Sequence, residues 1–236
     1  MVKTSATALL LCFLTLTANA GVTLGGTRVI YHEVSASVSI TLENNDPQPY
    51  LIKSQVLAAS AIPGAEVIAP PFSLIPPLFL LPGKRQNKIR LIADDSKLAK
   101  GKESLFDLTI GVIPSSETKL TANSVQIAIR SHLKLIYRPK NLPGSPQEAY
   151  RKLSWHRTQQ GVSVKNPTPF YATLFNVIVN GQPVSEPGVV APYSERELRW
   201  CHGVSRCDIR LQSIDDFGGI LAVKQVDFVS SQSGSR

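Results

Sequence analysis

The chain has 236 residues, 25 Lys and Arg against 17 Asp and Glu, a formal charge of +8, and 43% hydrophobic side chains. That apolar content is too high for intrinsic disorder, and 15 glycines are far too few for collagen. Three cysteines do not make a disulfide-stapled miniprotein, and a chain this long needs no such staples. The basic balance invites a nucleic-acid reading, and the N-terminus argues against it.

Met1-Val2-Lys3 is a short positive start, followed by an apolar run from Ala8 to Leu16. Ala18-Asn19-Ala20 then supplies small residues for cleavage before Gly21. The pattern predicts a secretory signal peptide over residues 1–20, too short and wrongly flanked for a stable membrane span. Cys12 follows Leu11, where a lipoprotein signal wants a small residue, so lipidation is not expected. Pro70, Pro71, Pro76, Pro77 and Pro82 interrupt the only later apolar stretch of membrane-spanning length. The expected mature chain starts at Gly21, has 216 residues and a charge of +7, and is exported without membrane insertion. Export makes nucleic acid an unexpected partner.

Alternation with period two recurs along the first half. Val38, Ile40 and Leu42 alternate with Ser and Thr; Ile89 and Leu91 alternate with Lys88 and Arg90. Phe106, Leu108, Ile110 and Val112 form one face of a run ended by Pro114, and Val125, Ile127 and Ile129 alternate with Gln126, Ala128 and Arg130. Half-buried antiparallel strands give this pattern. Asn44-Asn45-Asp46-Pro47, Pro82-Gly83 and Pro114-Ser115-Ser116 read as turns between the strands, and Asp94 to Lys100 as a local turn. Gly25-Gly26 reads as a strand bend.

Pro139 to Pro146 reads as a linker. Beyond it come Val162 and Val164, then a strand from Phe170 to Val179 ending in the hairpin dipeptide Asn180-Gly181. Cys201 and Cys207 are the only cysteines of the expected mature chain, and an oxidising compartment predicts that they pair. The five residues between them have the length and Gly content of a hairpin loop. The rival is a metal site using both thiolates and His202, which lacks a nearby fourth ligand. Residues 21–140 and 141–236 are each about one immunoglobulin-like sandwich in length. The first carries 14 basic and 9 acidic side chains, and the second 10 and 8, so most of the charge lies in the first.

Catalysis is not expected. His32, His132, His156 and His202 match no metal or nucleophile spacing, and no Gly-x-Ser-x-Gly or phosphate-cradling loop is present. No cofactor or metal site is indicated.

Six segments, in order, resemble the periplasmic chaperones of the chaperone–usher pilus pathway. They are Thr27-Arg28-Val29-Ile30-Tyr31; Pro76-Pro77-Leu78-Phe79-Leu80-Leu81-Pro82-Gly83; Glu103-Ser104-Leu105-Phe106 running on to Ile113-Pro114-Ser115; Val125 to Ile129 leading into Lys134 to Pro139; Asn166-Pro167-Thr168-Pro169-Phe170-Tyr171; and Ile214-Asp215-Asp216-Phe217-Gly218-Gly219. Asp107 and Thr109 depart from the family signature, which usually has an aromatic and an Asn there. The connection Ser116 to Asn123 is short and resembles the short-loop branch of the family.

The resemblance implies an all-β protein of two immunoglobulin-like β-sandwich domains set at an angle around a cleft. It implies a periplasmic chaperone whose partners are pilus subunits and an outer-membrane usher. By the same resemblance, Val125, Ile127 and Ile129 fill the open groove of an incomplete subunit, and Arg28 and Lys134 bind its C-terminal carboxylate. Glu103, Arg138 and Asp216 form a charge cluster between the domains. From the residues alone, the favoured reading puts the three aliphatic side chains in the chain's own core, and Arg28 and Lys134 at solvated strand positions. Lys134 also has the parity opposite to Ile127 and Ile129, which puts it on the other face unless a bulge intervenes. The alternative function is an exported adhesin or pilus subunit.

Overall fold

The computed structural model describes residues 21–60, 70–115 and 127–229. The expected signal peptide, Val125 and the connection Ser116 to Asn123 lie outside the described residues. No described helix is long and apolar enough to cross a membrane.

In the first half the alternating runs become strands β1 (Val22–Leu24), β2 (Arg28–His32), β3 (Val38–Asn44), β4 (Tyr50–Ala58), β5 (Phe72–Ile75), β6 (Leu78–Leu81), β7 (Gln86–Ala93), β8 (Ser104–Pro114) and β9 (Ile129–Arg138). They form two sheets, ordered β1-β3-β7-β5 and β2-β9-β8-β4-β6. Alternation sends Ile40, Leu42, Ile89 and Leu91 inward from the first sheet. Ile52, Leu108, Ile110, Leu133, Leu135 and Tyr137 meet them from the second, and all are buried in one core. Gly25-Gly26 lies between β1 and β2, where the chain changes sheets, and β2 then runs parallel to β9. The turn containing Gly83 also joins opposite sheets, and a Cβ there would collide with the Pro47 carbonyl.

The second half contains β10 (Ser154–Thr158), β11 (Gly161–Lys165), β12 (Ala172–Thr173), β13 (Phe175–Val179), β14 (Gln182–Pro183), β15 (Val189–Val190), β16 (Glu195–Leu198), β17 (Arg206–Gln212) and β18 (Lys224–Val229). Its sheets are β10-β11-β16, β12-β15 and β14-β13-β17-β18, around a separate core that includes Trp155, Val162, Val164, Val177, Ile209 and Leu211. The protein is therefore all-β, with two immunoglobulin-like domains.

Two local expectations need correction. The run from Phe170 to Val179 is not one strand: β12 pairs with β15, and β13 pairs with β17 in another sheet. The Cys201–Cys207 disulfide is formed, but it does not close a hairpin. β16 pairs with β11 and β17 with β13 and β18, so the bridged loop links two sheets. At and beyond the end of the expected linker, Pro146–Lys152 is a 3-10 helix that buries Ala149 and Tyr150. The turn expected at Asp94 to Lys100 contains a 3-10 helix over Asp95–Lys97. Asn180 and Gly181 both take positive φ between β13 and β14, as a two-residue hairpin turn requires.

Candidate functional site

The five-stranded sheet has a second face, built from residues of opposite parity to the core. Strand register aligns that face into transverse rows. Glu103, just before β8, and Arg138 on β9 make a charged row. Ile30, Ile136 and Leu105 make an apolar row beside it. Arg28, Lys134, Asp107 and Leu57 follow, one from each of β2, β9, β8 and β4. Two more polar rows follow: His132, Thr109 and Gln55, then Arg130, Gly111 and Lys53.

The charged row reaches into the second domain. Arg138 Nε donates to Glu103 Oε1 at 2.6 Å, and its Nη1 and Nη2 donate to the two Asp216 oxygens at 2.6 and 2.8 Å. Its guanidinium also lies 5.8 Å from the centroid of the Phe170 ring. Glu103 Oε2 accepts the Tyr171 N–H at 2.7 Å, and the Glu103 N–H donates to the Pro169 carbonyl at 2.9 Å. Burial pushes the Glu103 carboxyl up from its ordinary value, and Arg138 and the Tyr171 N–H pull it back. Burial also opposes the Arg138 charge, but Asp216 and Glu103 outweigh it and hold the guanidinium above its ordinary value. Both oxygens of Glu103 are engaged, so the acceptors of the cluster are satisfied. The apolar row adds a seam: Leu105, Ile136 and Ala59 are buried with Val189 of the second domain, and Ile30 and Tyr171 pack against them.

Several members of this junction were not expected from the sequence. Asn166 donates from its side chain to the Phe170 and Val190 carbonyls and accepts from the Thr168 N–H and hydroxyl. That fully used buried amide shapes the turn carrying Pro169 and Tyr171 to Glu103. Asp215 accepts the N–H groups of Phe217 and Gly219, which curls the loop presenting Asp216. A Cβ on Gly219 would come 2.7 Å from Asp215 Oδ2. The signal was present in Asn166-Pro167-Thr168-Pro169 and in Gly218-Gly219, both turn-forming runs of small and polar residues.

Arg28 and Lys134 are register partners on adjacent parallel strands. Arg28 Nη1 donates to the Ile214 carbonyl at 3.2 Å, whereas its buried Nε has no partner among the described residues. Burial lowers the Arg28 guanidinium from its ordinary value against the attraction of Asp216, Asp215 and Glu103. Lys134 is half-buried and makes no salt bridge among the described residues. The β8–β9 ladder runs without a register shift from Ser104↔Tyr137 to Val112↔Ile129. No bulge intervenes, and Lys134 and Ile129 are on opposite faces.

Ile127 and Ile129 share the parity of the buried Leu133, Leu135 and Tyr137, yet they are 72% and 61% exposed. Ile127, two residues before β9, and Ile129, its first residue, thus project beyond the buried core cluster. Ile129 still pairs with Val112 in the sheet. Among the described residues, no group of His, Cys, Asp or Glu is placed to hold a metal.

Residues 21–143 match the family described as pili and flagellar-assembly chaperone, PapD N-terminal domain. Residues 148–225 match pili assembly chaperone PapD, C-terminal domain. The chain belongs to the PapD family of pilus-assembly chaperones. It is 41% identical over 209 residues to the fimbrial chaperone YcbF of Escherichia coli K12, covering 87% of this chain and 88% of YcbF. With the chaperone protein FimC of the same strain, identity is 35% over 206 residues, 86% of this chain and 83% of FimC. The structure of the Salmonella enterica SafA pilin in complex with the SafB chaperone contains a chain that superposes with a TM-score of 0.75 at 30% identity. That match covers 90% of this chain and 99% of the other. Membership in the PapD family implies a non-enzymatic role.

Proposed function

We propose that this protein is a periplasmic chaperone that captures pilus subunits by donating a β-strand and delivers them to an outer-membrane usher. The observation that carries the reading is the segment entering β9, where Ile127 and Ile129 have the parity of the core face yet stay exposed. A strand laid along an incomplete sandwich supplies main-chain hydrogen bonds, and its alternate side chains supply specificity. Val125, Ile127 and Ile129, each worth roughly 1.5–3 kcal/mol when fully buried, give the largest gross contribution. Ordering and association costs reduce it.

Aliphatic pairing alone leaves register slippery, and a terminal charge removes that ambiguity. Arg28 and Lys134 converge on one carboxylate, the C-terminus of the subunit, and Arg28 Nε is a buried donor that such an acceptor satisfies. The Glu103–Arg138–Asp216 network holds the domains so that this row faces the cleft. The domain division is 21–140 and 141–236, after removal of residues 1–20 on export. Its role is non-enzymatic, to complete and release a partner. A relative's complex with a pilin favours subunit capture.

The test is co-expression with a pilus subunit, purification from the periplasm and mass spectrometry of what co-elutes. An equimolar subunit is expected with the wild type and none with Ile127→Asp, whose urea unfolding midpoint stays at the wild-type value. A normally folded Ile127→Asp that retains the subunit would overturn strand donation.

A further inference from the structure

The row that holds Arg28 and Lys134 also holds a carboxylate. Asp107 is the antiparallel register partner of Lys134, and on its other side it faces Leu57. Directly opposed residues on antiparallel strands bring their Cβ atoms to about 4.5–5.5 Å. Asp107 is only 8% exposed. Its Oδ2 accepts both the Ser60 N–H at 2.8 Å and the Ser60 hydroxyl at 2.5 Å. The side chain is therefore held by the segment leaving β4, next to Lys134 but not in a salt bridge with it. Three further carboxylates act on Arg28 from a distance: Asp216 and Glu103 are both engaged by Arg138, and Asp215 accepts the N–H groups of Phe217 and Gly219.

We propose that Asp107 is a specificity-determining residue of the carboxylate anchor, a resident anion that competes with the incoming one for Lys134. The inference rests on the reading of Arg28 and Lys134 as that anchor. Counted by formal charge, the row of Arg28, Lys134 and Asp107 offers a net charge of one rather than two, and any anion brought to Lys134 meets a carboxylate one strand away. Capture is weaker and more readily reversed than two bare cations would make it, and Arg28 carries a larger share of the contact. A subunit whose terminal carboxylate is flanked by further acidic side chains is penalised most, because every added negative charge faces Asp107 as well. The preferred partner is thus a subunit ending in neutral residues. Ser60 sets the geometry: its two hydrogen bonds hold the Asp107 carboxylate away from the Lys134 ammonium.

The experiment is titration calorimetry of the full chain against a co-purified pilus subunit, used with its native C-terminus and with that carboxylate amidated. Asp107→Asn keeps an acceptor for Ser60 and is expected to tighten the native subunit about three- to tenfold. It should leave the amidated subunit unchanged, and should have no effect in the Lys134→Ala background. Ser60→Ala, which loosens the carboxylate, should weaken the native subunit, and it decides the matter if Asp107→Asn does not fold. Unchanged or weaker binding by a folded Asp107→Asn, equal tightening in the Lys134→Ala background, or tighter binding by Ser60→Ala would each overturn the proposal while leaving the anchor intact. Wild-type affinity in Lys134→Ala itself would overturn the anchor reading, and this inference with it.

Discussion

Two rows of charge lie on one face of the same sheet, separated by a single apolar row, and they are built on opposite principles. In the first, Arg138 gives three nitrogens to two carboxylates, and both oxygens of Glu103 are occupied. In the second, Arg28 keeps a buried Nε without a partner among the described residues, and Lys134 stands beside a carboxylate tied to another residue. Ile30, Ile136 and Leu105 keep the rows apart. The contrast teaches that a satisfied network joins domains, whereas a row of incompletely paired cations is suited to receive something. Sequence spacing makes the two alike; hydrogen bonding separates them.

The comparison breaks most visibly at Arg138. Arg138→Met leaves Glu103, whose side chain is 1% exposed, buried without its cation, and should cost about 3–5 kcal/mol of stability in urea unfolding. Lys134→Ala should leave stability within about 0.5 kcal/mol of wild type. It should instead weaken subunit binding by about 1.5–3 kcal/mol, measured by calorimetry. Asp216→Asn retains one acceptor for Arg138 at the more accessible end of the network, and about 1 kcal/mol of stability should be lost.

The smallest effect concerns alkaline pH. Burial, followed by the charge of Glu103, pushes the Tyr171 phenol from 10.0 up to about 12. Between those values the unfolded chain loses the proton while the folded chain keeps it, so folding stability falls as pH rises. Tyr171→Phe should lack that part of the decline, and thermal unfolding from pH 9 to pH 12 should bring the two proteins closer together as pH increases.

Strands were legible in the sequence because alternation is a local property. Ile40 and Leu42, or Leu108 and Ile110, announce an inward face whichever sheet they join. Sheet membership was not legible, since period two is the same in every sheet. Hence Phe170 to Val179 reads as one strand although β12 and β13 part company, and the loop from Cys201 to Cys207 reads as a hairpin although it links two sheets. At the site, Arg28, Lys134, Glu103, Arg138 and Asp216 were reached through resemblance to a family, because their partners are distant in sequence. Arg138 and Asp216 are 78 residues apart. The parts played by Asn166, Tyr171 and Ser60 were missed because each acts through a main-chain group or a short tether, which leaves no periodic trace. The exposure of Ile127 and Ile129 was equally hidden, since parity alone assigns them to the core face.

Hydrogen exchange along β9, in the free protein and in a subunit complex, tests strand donation most directly. Between Ile127 and Ser131, the amides that do not bond to β8 should exchange rapidly in the free chain and become protected when the subunit binds. A stable complex that left those amides unprotected, with new protection confined to the β14-β13-β17-β18 sheet, would contradict it.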